Sequence, residues 1–220
     1  MMNPGAGGAR RCTLLVPLVL ALAASLHAHA AGAVAVEAGS DPWPQVRWPL
    51  AEDPAMEKRI TELMAGMTIE EKVGQLVQGD IASVTPEDVR RYRLGSILAG
   101  GNSDPGGRYD ASPAAWLALA DAFHAASMDT STGGKAIPVL FGIDAVHGQS
   151  NITGATLFPH NIGLGAARNP ELVRRIGEVT ALETRATGME WAFAPTVAVP
   201  QDDRWGRTYE GYSESPELVA

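Results

Sequence analysis

Three short polar stretches hold the side chains whose types could do chemistry. The first closes the apolar run "VLFGIDAVHGQ", Val139 to Gln149, with an aspartate, a histidine and a glycine: Asp144, His147 and Gly148. The second, Gln201 to Glu210, reads "QDDRWGRTYE", and the third is Asn102-Ser103-Asp104. Loops at the C-terminal ends of strands build the active site of a parallel α/β barrel. Placed there, Asp144 would sit at the rim facing a ligand, with Asn102, Ser103 and Asp104 lining the same mouth. The other reading of Asp144 is a structural carboxylate capping local backbone N–H groups. His147 and His160 each have two readings as well, a packed ring bonded to a carbonyl or a site residue. His124, near Phe123 in a helical stretch, reads as structural or simply exposed.

Other chemistries find weaker support. A metal site could be drawn from Asp144, His147 and His160, but the compact ligand pair that catalytic zinc favours is absent. Gly163-Leu164-Gly165 lacks a third glycine at dinucleotide spacing and reads as a turn signal. No nucleophile elbow and no ordered Ser/His/Asp set is present. Asn151-Ile152-Thr153 is a formal glycosylation sequon and carries nothing further.

The elements that must position these residues follow from local signals. Asp53-Pro54 is an N-cap followed by a first-position proline, with Ile60, Leu63, Met64 and Met67 as the apolar face of the helix it opens. Thr68-Ile69-Glu70-Glu71 is a capping box for a second helix through Leu76. Thr85-Pro86-Glu87-Asp88 opens a third. Apolar runs then alternate with amphipathic ones: a strand over Leu94–Ala99, a helix from Pro113 to about Met128 capped by Ser112, and a strand over Ile137–Ile143. After these come a short strand over Ile162–Ala166, a helix from Asn169-Pro170-Glu171 to Gly188, and a strand over Trp191–Val199. In the long helix, Glu171 with Arg175 and Arg174 with Glu178 have the i, i+4 spacing of an exposed face. Strands alternating with helices predict βαβ units and a parallel sheet, hence an α/β fold. Ser215-Pro216-Glu217 begins a last helix that Ala220 ends within two turns, too short to sustain itself. The expectation is therefore a truncated chain.

Bulk properties narrow the partners. The 220 residues, 45% hydrophobic, can bury a sizeable core, and 17 basic against 25 acidic residues give a formal charge of −8. That balance argues against nucleic acid or an anionic membrane surface. Arg10 and Arg11 precede an apolar run, Cys12 to Leu26, which His27-Ala28-His29-Ala30-Ala31 closes with a signal-peptidase pattern. The run is about fifteen residues, short of the roughly 20 that span a bilayer as a helix, so a cleaved leader is expected and not a stable membrane span. The arginine pair leaves twin-arginine export open. Cys12 is the only cysteine, so the exported domain has no disulfide and must hold together by core packing. The expected organisation is a signal peptide at 1–30, an extended lead-in at 31–50 and a barrel portion at 51–220.

Four segments together resemble glycoside hydrolase family 3, in its exo-β-glucanase and β-glucosidase branch. They are "GIDAVHGQSN" at 142–151, "GATLFPHNIGLGAARNPELVRRIGEVTALETRATG" at 154–188, "FAPTVAV" at 193–199 and "DDRWGRTYEGYSE" at 202–214. The resemblance runs from about Val46 to the end. It implies the N-terminal part of a (β/α)8 TIM-like barrel, incomplete in this chain, followed in the family by an α/β sandwich. It implies a retaining exo-acting enzyme on β-glucoside oligosaccharides or aryl glucosides, expected to be metal-free and cofactor-free, and the cleaved leader predicts a periplasmic or secreted protein.

In such a mechanism two carboxyls lie roughly 5–5.5 Å apart across the bond. The nucleophile and the acid are both expected beyond Ala220, so the chain alone is expected to be inactive without the missing C-terminal part. Asp144 matches a family aspartate, and Arg207 an arginine, that hold the hydroxyls of the terminal sugar. Glu210, three residues after Arg207, either orients it or sits on the surface. Trp205 is either a sugar platform or a packed aromatic bracing its loop. A non-catalytic carbohydrate-binding homologue on the same barrel is the alternative.

Overall fold

The computed structural model describes residues 51–220, so the leader at 1–30 and the lead-in at 31–50 lie outside the described residues. Within them, helices begin where a side chain can accept from otherwise unpaired N–H groups. Helix α1 (Pro54–Ala65) starts on Asp53, whose carboxylate accepts from the amides of Ala55 and Met56. Helix α2 (Ile69–Gln75) starts on the Thr68–Glu71 capping box. After strand β1 (Gln78–Asp80), a second capping box, Thr85–Asp88, opens α3 (Pro86–Tyr92), which ends on Arg93 in the left-handed region at φ 54°. Strand β2 (Ser96–Ala99) leads to α4 (Pro113–Met128), capped by Ser112. Strand β3 is Leu140–Ile143, followed by α5 (Asn161–Ala167), α6 (Pro170–Ala186) and β4 (Trp191–Ala192). A 3-10 turn at Thr208–Glu210 and the short α7 (Pro216–Val219) complete the chain.

All three strand pairings are parallel, and the sheet order is β1-β2-β3-β4. Each strand pairs with the next in sequence and the order never reverses. A doubly wound sheet would reverse at its switch point, whereas a barrel adds strands in one direction. The fold is α/β, a partial TIM-like barrel. Gly79, Ile97 and Phe141 lie in register across the first three strands, and Gly142 faces Trp191 across the last pair.

The core lies between this sheet and α4. Trp116, Ala120, Phe123 and Ser127 recur every three or four positions and form the buried stripe of that helix. Phe123 meets Phe141 of β3 edge to face, with ring centroids 6.2 Å apart. Ile97 and Ile143 are fully buried, with Met189 packed against them.

Several local expectations are corrected. Residues 162–166 are not a strand, and Gly163-Leu164-Gly165 is not a turn. Both lie inside α5, where Asn161, Leu164 and Gly165 share the buried face. The strand expected over Trp191–Val199 has only two residues; Pro195 has no N–H to donate to a ladder. Strand β1 was not expected at all, since Gln78-Gly79-Asp80 has no apolar run to announce it. Helix α1 forms as expected, but Ile60, Leu63 and Met64 are 42%, 38% and 48% exposed, so its apolar face is uncovered. On α6, Arg174 bridges both Glu171 and Glu178, and the Glu171–Arg175 pair is not among the ion pairs of the described residues.

Candidate functional site

Strand β3 carries Asp144 to the rim. Its amide still donates to the carbonyl of Ala99 at 3.4 Å, so the residue leaves the sheet directly at its C-terminal end. The Asn151 side chain donates to the Asp144 carbonyl at 2.5 Å and fixes the turn. Asp144 itself is exposed, and its carboxylate accepts no hydrogen bond among the described residues. The capping role open to it on sequence is therefore not the one it plays here.

The turn continues through Gly148 at φ 82°, where a Cβ would lie 2.2 Å from the carbonyl oxygen of Thr156. Only glycine satisfies both demands. His147 accepts at its carbonyl from the amide of Phe158, and its ring stands edge to face on His160, centroids 4.0 Å apart. His160 stands in the same way on Tyr209 at 4.7 Å. A ladder of three rings thus joins the loop after β3 to the loop after β4. Burial lowers the pKa of His147, helped by the neighbouring His160 and opposed by Glu210, and its Nδ1 is buried with no hydrogen-bond partner among the described residues. Among the described residues no three potential ligands form a metal-binding group.

Arg207 lies at the far end of this ladder. Its Nε and Nη2 both donate to Oε2 of Glu210, at 2.9 and 2.6 Å. Glu210 is only 8% exposed, and its own carbonyl accepts from the buried Asn161 side chain at 2.8 Å. The hydrogen bond to Glu210 and its charge raise the Arg207 pKa, and the charge of Asp144 adds to them. Glu210 is correspondingly lowered, first by the hydrogen bond from Arg207. The parallel pairing of β3 with β4 and the ring contacts between the loops that follow them put Asp144 and Arg207 at the same end of the sheet. Nη1 of Arg207 has no partner among the described residues, so an arginine already fixed by two bonds still presents donors outward.

The remaining candidates have other occupations. Ser103 is buried and donates to Asp80 Oδ1 at 2.6 Å, tying the loop after β2 to the end of β1, while Asn102 is exposed. Trp205 is 40% exposed, with its carbonyl accepting from the Thr208 amide and hydroxyl. His124 lines a separate cavity of ≈ 300 Å³ between α4 and the start of β4 and has no place at the rim. Beside the rim a cavity of ≈ 490 Å³ opens between Ile162, Pro200, Asp202, Thr208 and Tyr212. Sequence reasoning did not find Asn161; its only signal was the buried-face spacing of Asn161, Leu164 and Gly165.

The model of the "Glycosyl hydrolase family 3 N terminal domain" matches residues 68–220. The chain belongs to glycosyl hydrolase family 3. Among solved structures, this family 3 chain is similar to the exo-1,3/1,4-beta-glucanase of a Pseudoalteromonas species, with 56% identity and a TM-score of 0.73 over 79% of the chain and 22% of that protein. It is 32% identical to the lysosomal beta glucosidase of Dictyostelium discoideum over 76% of the chain and 22% of that protein. It is 31% identical to the periplasmic beta-glucosidase of Salmonella typhimurium over 76% of the chain and 20% of that protein. The chain thus spans about a fifth of the length of the relatives it matches.

Proposed function

We propose that this chain is the sugar-gripping barrel portion of an exported, retaining β-glucosidase or exo-β-glucanase acting at non-reducing chain ends. The observation that carries the reading is an acceptor-only group, Asp144, on the loop after β3 and a donor-only group, Arg207, fixed by Glu210 on the loop after the neighbouring strand β4. A saccharide hydroxyl can donate and accept, so a carboxylate and a guanidinium side by side read two neighbouring hydroxyls in complementary senses. Charge-assisted bonds of this kind are about twice as strong as neutral ones. A rim walled by such groups accepts the end of a chain better than its middle, where those hydroxyls are substituted or crowded.

The similarity to an exo-1,3/1,4-beta-glucanase and to two beta-glucosidases supports β-glucosides as the substrate class. The bond-breaking carboxyls, nucleophile and acid, are expected C-terminal to Ala220, and the 220-residue chain by itself is expected to lack hydrolytic activity. Export through the leader at 1–30 to the periplasm or medium fits the periplasmic relative. Among the described residues no helix is long and apolar enough to cross a membrane.

The test is direct. The purified chain is titrated with methyl β-D-glucoside and assayed on an aryl β-glucoside. Binding without turnover, weakened about tenfold in Asp144→Asn, is the expected result. Turnover by the chain at the rate of a complete family 3 enzyme, or binding indifferent to Asp144→Asn and Arg207→Met, would overturn the reading.

A further inference from the structure

The connection between β3 and β4 contains one element that the β/α alternation does not require, the seven-residue helix α5. It packs against the loop that carries Arg207. At its start, the Asn161 side chain is 1% exposed and donates to the carbonyl of Glu210 at 2.8 Å. Just before it, the exposed His160 ring stands on the ring of Tyr209 at 4.7 Å. One turn further, Gly165 lies so close to the loop that a Cβ there would sit 1.7 Å from the carbonyl oxygen of Tyr212. These three contacts bracket residues 209–212, and Glu210 in the middle of them is the group that holds Arg207.

We infer that α5 is the positioning element for the arginine: Asn161 and His160, with Gly165 permitting the close approach, fix Tyr209 and Glu210 and through them hold the Arg207 guanidinium in place. The inference rests on the reading of Arg207 as a sugar-holding group. An arginine on an exposed loop samples many rotamers, and its planar fork binds well only when that freedom has been removed beforehand. The Glu210 carboxylate removes it, but a carboxylate on a short 3-10 turn is only as fixed as its own backbone. Asn161 supplies that fixation by occupying the Glu210 carbonyl, a group the 3-10 turn leaves without a helical partner. His160 adds a lateral restraint through an edge-to-face contact with Tyr209, which the ring quadrupoles favour without any net charge. All three touch residues 209–212, so they act through Arg207 and are positioning residues.

The test uses the 220-residue chain and two readouts. The first needs no sugar: the Nε–H signal of Arg207 in a ¹H–¹⁵N spectrum, slowed in exchange by its bond to Glu210. The second is the dissociation constant for methyl β-D-glucoside. Asn161→Ala and His160→Ala are expected to remain folded by thermal melting, to lose the slow exchange of that signal, and to weaken glucoside binding by about tenfold, the factor that ~1.4 kcal/mol represents. His160→Phe, which keeps the ring contact, restores both. Should Asn161→Ala fail to fold, the pair His160→Ala and His160→Phe decides, because His160 is exposed. Folded variants with an unchanged Arg207 signal and unchanged affinity would overturn the inference. If instead Asp144→Asn and Arg207→Met leave affinity untouched, the sugar reading fails, and the Arg207 signal alone still judges the positioning.

Discussion

Asp144 and Arg207 are both exposed, yet they differ in how much of their geometry is set in advance. Arg207 is held through two donors on one carboxylate oxygen, while Asp144 has only its backbone fixed, by Ala99 and Asn151. The aspartate can therefore turn to meet a hydroxyl. Asp144→Asn exchanges a charged acceptor for a neutral amide and is expected to weaken glucoside affinity about tenfold, one charge-assisted bond's worth, measured by calorimetric titration.

Acid should act on the same cluster through two groups. Glu210 has a folded pKa below its ordinary value of 4.5, so the stability it contributes is complete above that value and is lost as pH falls below 4.5 through the folded pKa. His147 is held neutral below its ordinary value of 6.5, chiefly by burial, so the unfolded chain takes up its proton first and stability declines as pH falls below 6.5. Urea midpoints should fall in two stages on acidification, and His147→Phe should remove the upper one. A single stage beginning only below 4.5 in the unmodified chain would contradict the burial of the His147 ring.

Helices α4 and α5 support the sheet and the rim in different ways, and their substitutions should fail differently. Phe123 is 1% exposed and packs on Phe141, so Phe123→Ala is expected to cost about 3–5 kcal/mol of stability in chemical denaturation. Gly165→Ala inserts a methyl where only 1.7 Å separates its position from the Tyr212 carbonyl, and should cost about 1–3 kcal/mol by overpacking while shifting the loop.

Legibility in the sequence follows the same division. The capping residues Asp53, Thr68, Thr85, Ser112 and Asn169 announce their helices because the signal is local, an oxygen placed to accept from the next turn. Strand β3 and Asp144 at its end were legible because an apolar run stops on a charge. β1 was not, because its ladder partners lie nearly twenty residues away and its own side chains are polar or absent. α5 was misread because its seven residues hold two glycines and two alanines, so propensity says little and burial against residues 208–212 decides its form. Asn161 is invisible for the same reason: its purpose is a carbonyl 49 positions on.

At the scale of the whole sheet, the described residues form four parallel strands, and neither outer strand has a further partner among them. The uncovered side of α1 and the exposed Ile69, Val73 and Leu76 of the α2 segment add apolar surface. Unpaired strand edges and apolar faces both favour association. The isolated chain should therefore self-associate as its concentration rises, with sedimentation coefficients climbing through the micromolar range and falling back in mild urea. A monomer at all concentrations would show that these surfaces are covered within the chain itself.

The amide of Asn161 reaching across to Glu210 also has a consequence for recombination. Transplanting residues 201–210 alone into another barrel would carry the guanidinium without its brace and deliver a floppy hand. Moving the block from Asp144 to Tyr212 as one cassette would transfer acceptor, donor and brace together, so crossover points that preserve saccharide affinity belong outside that interval.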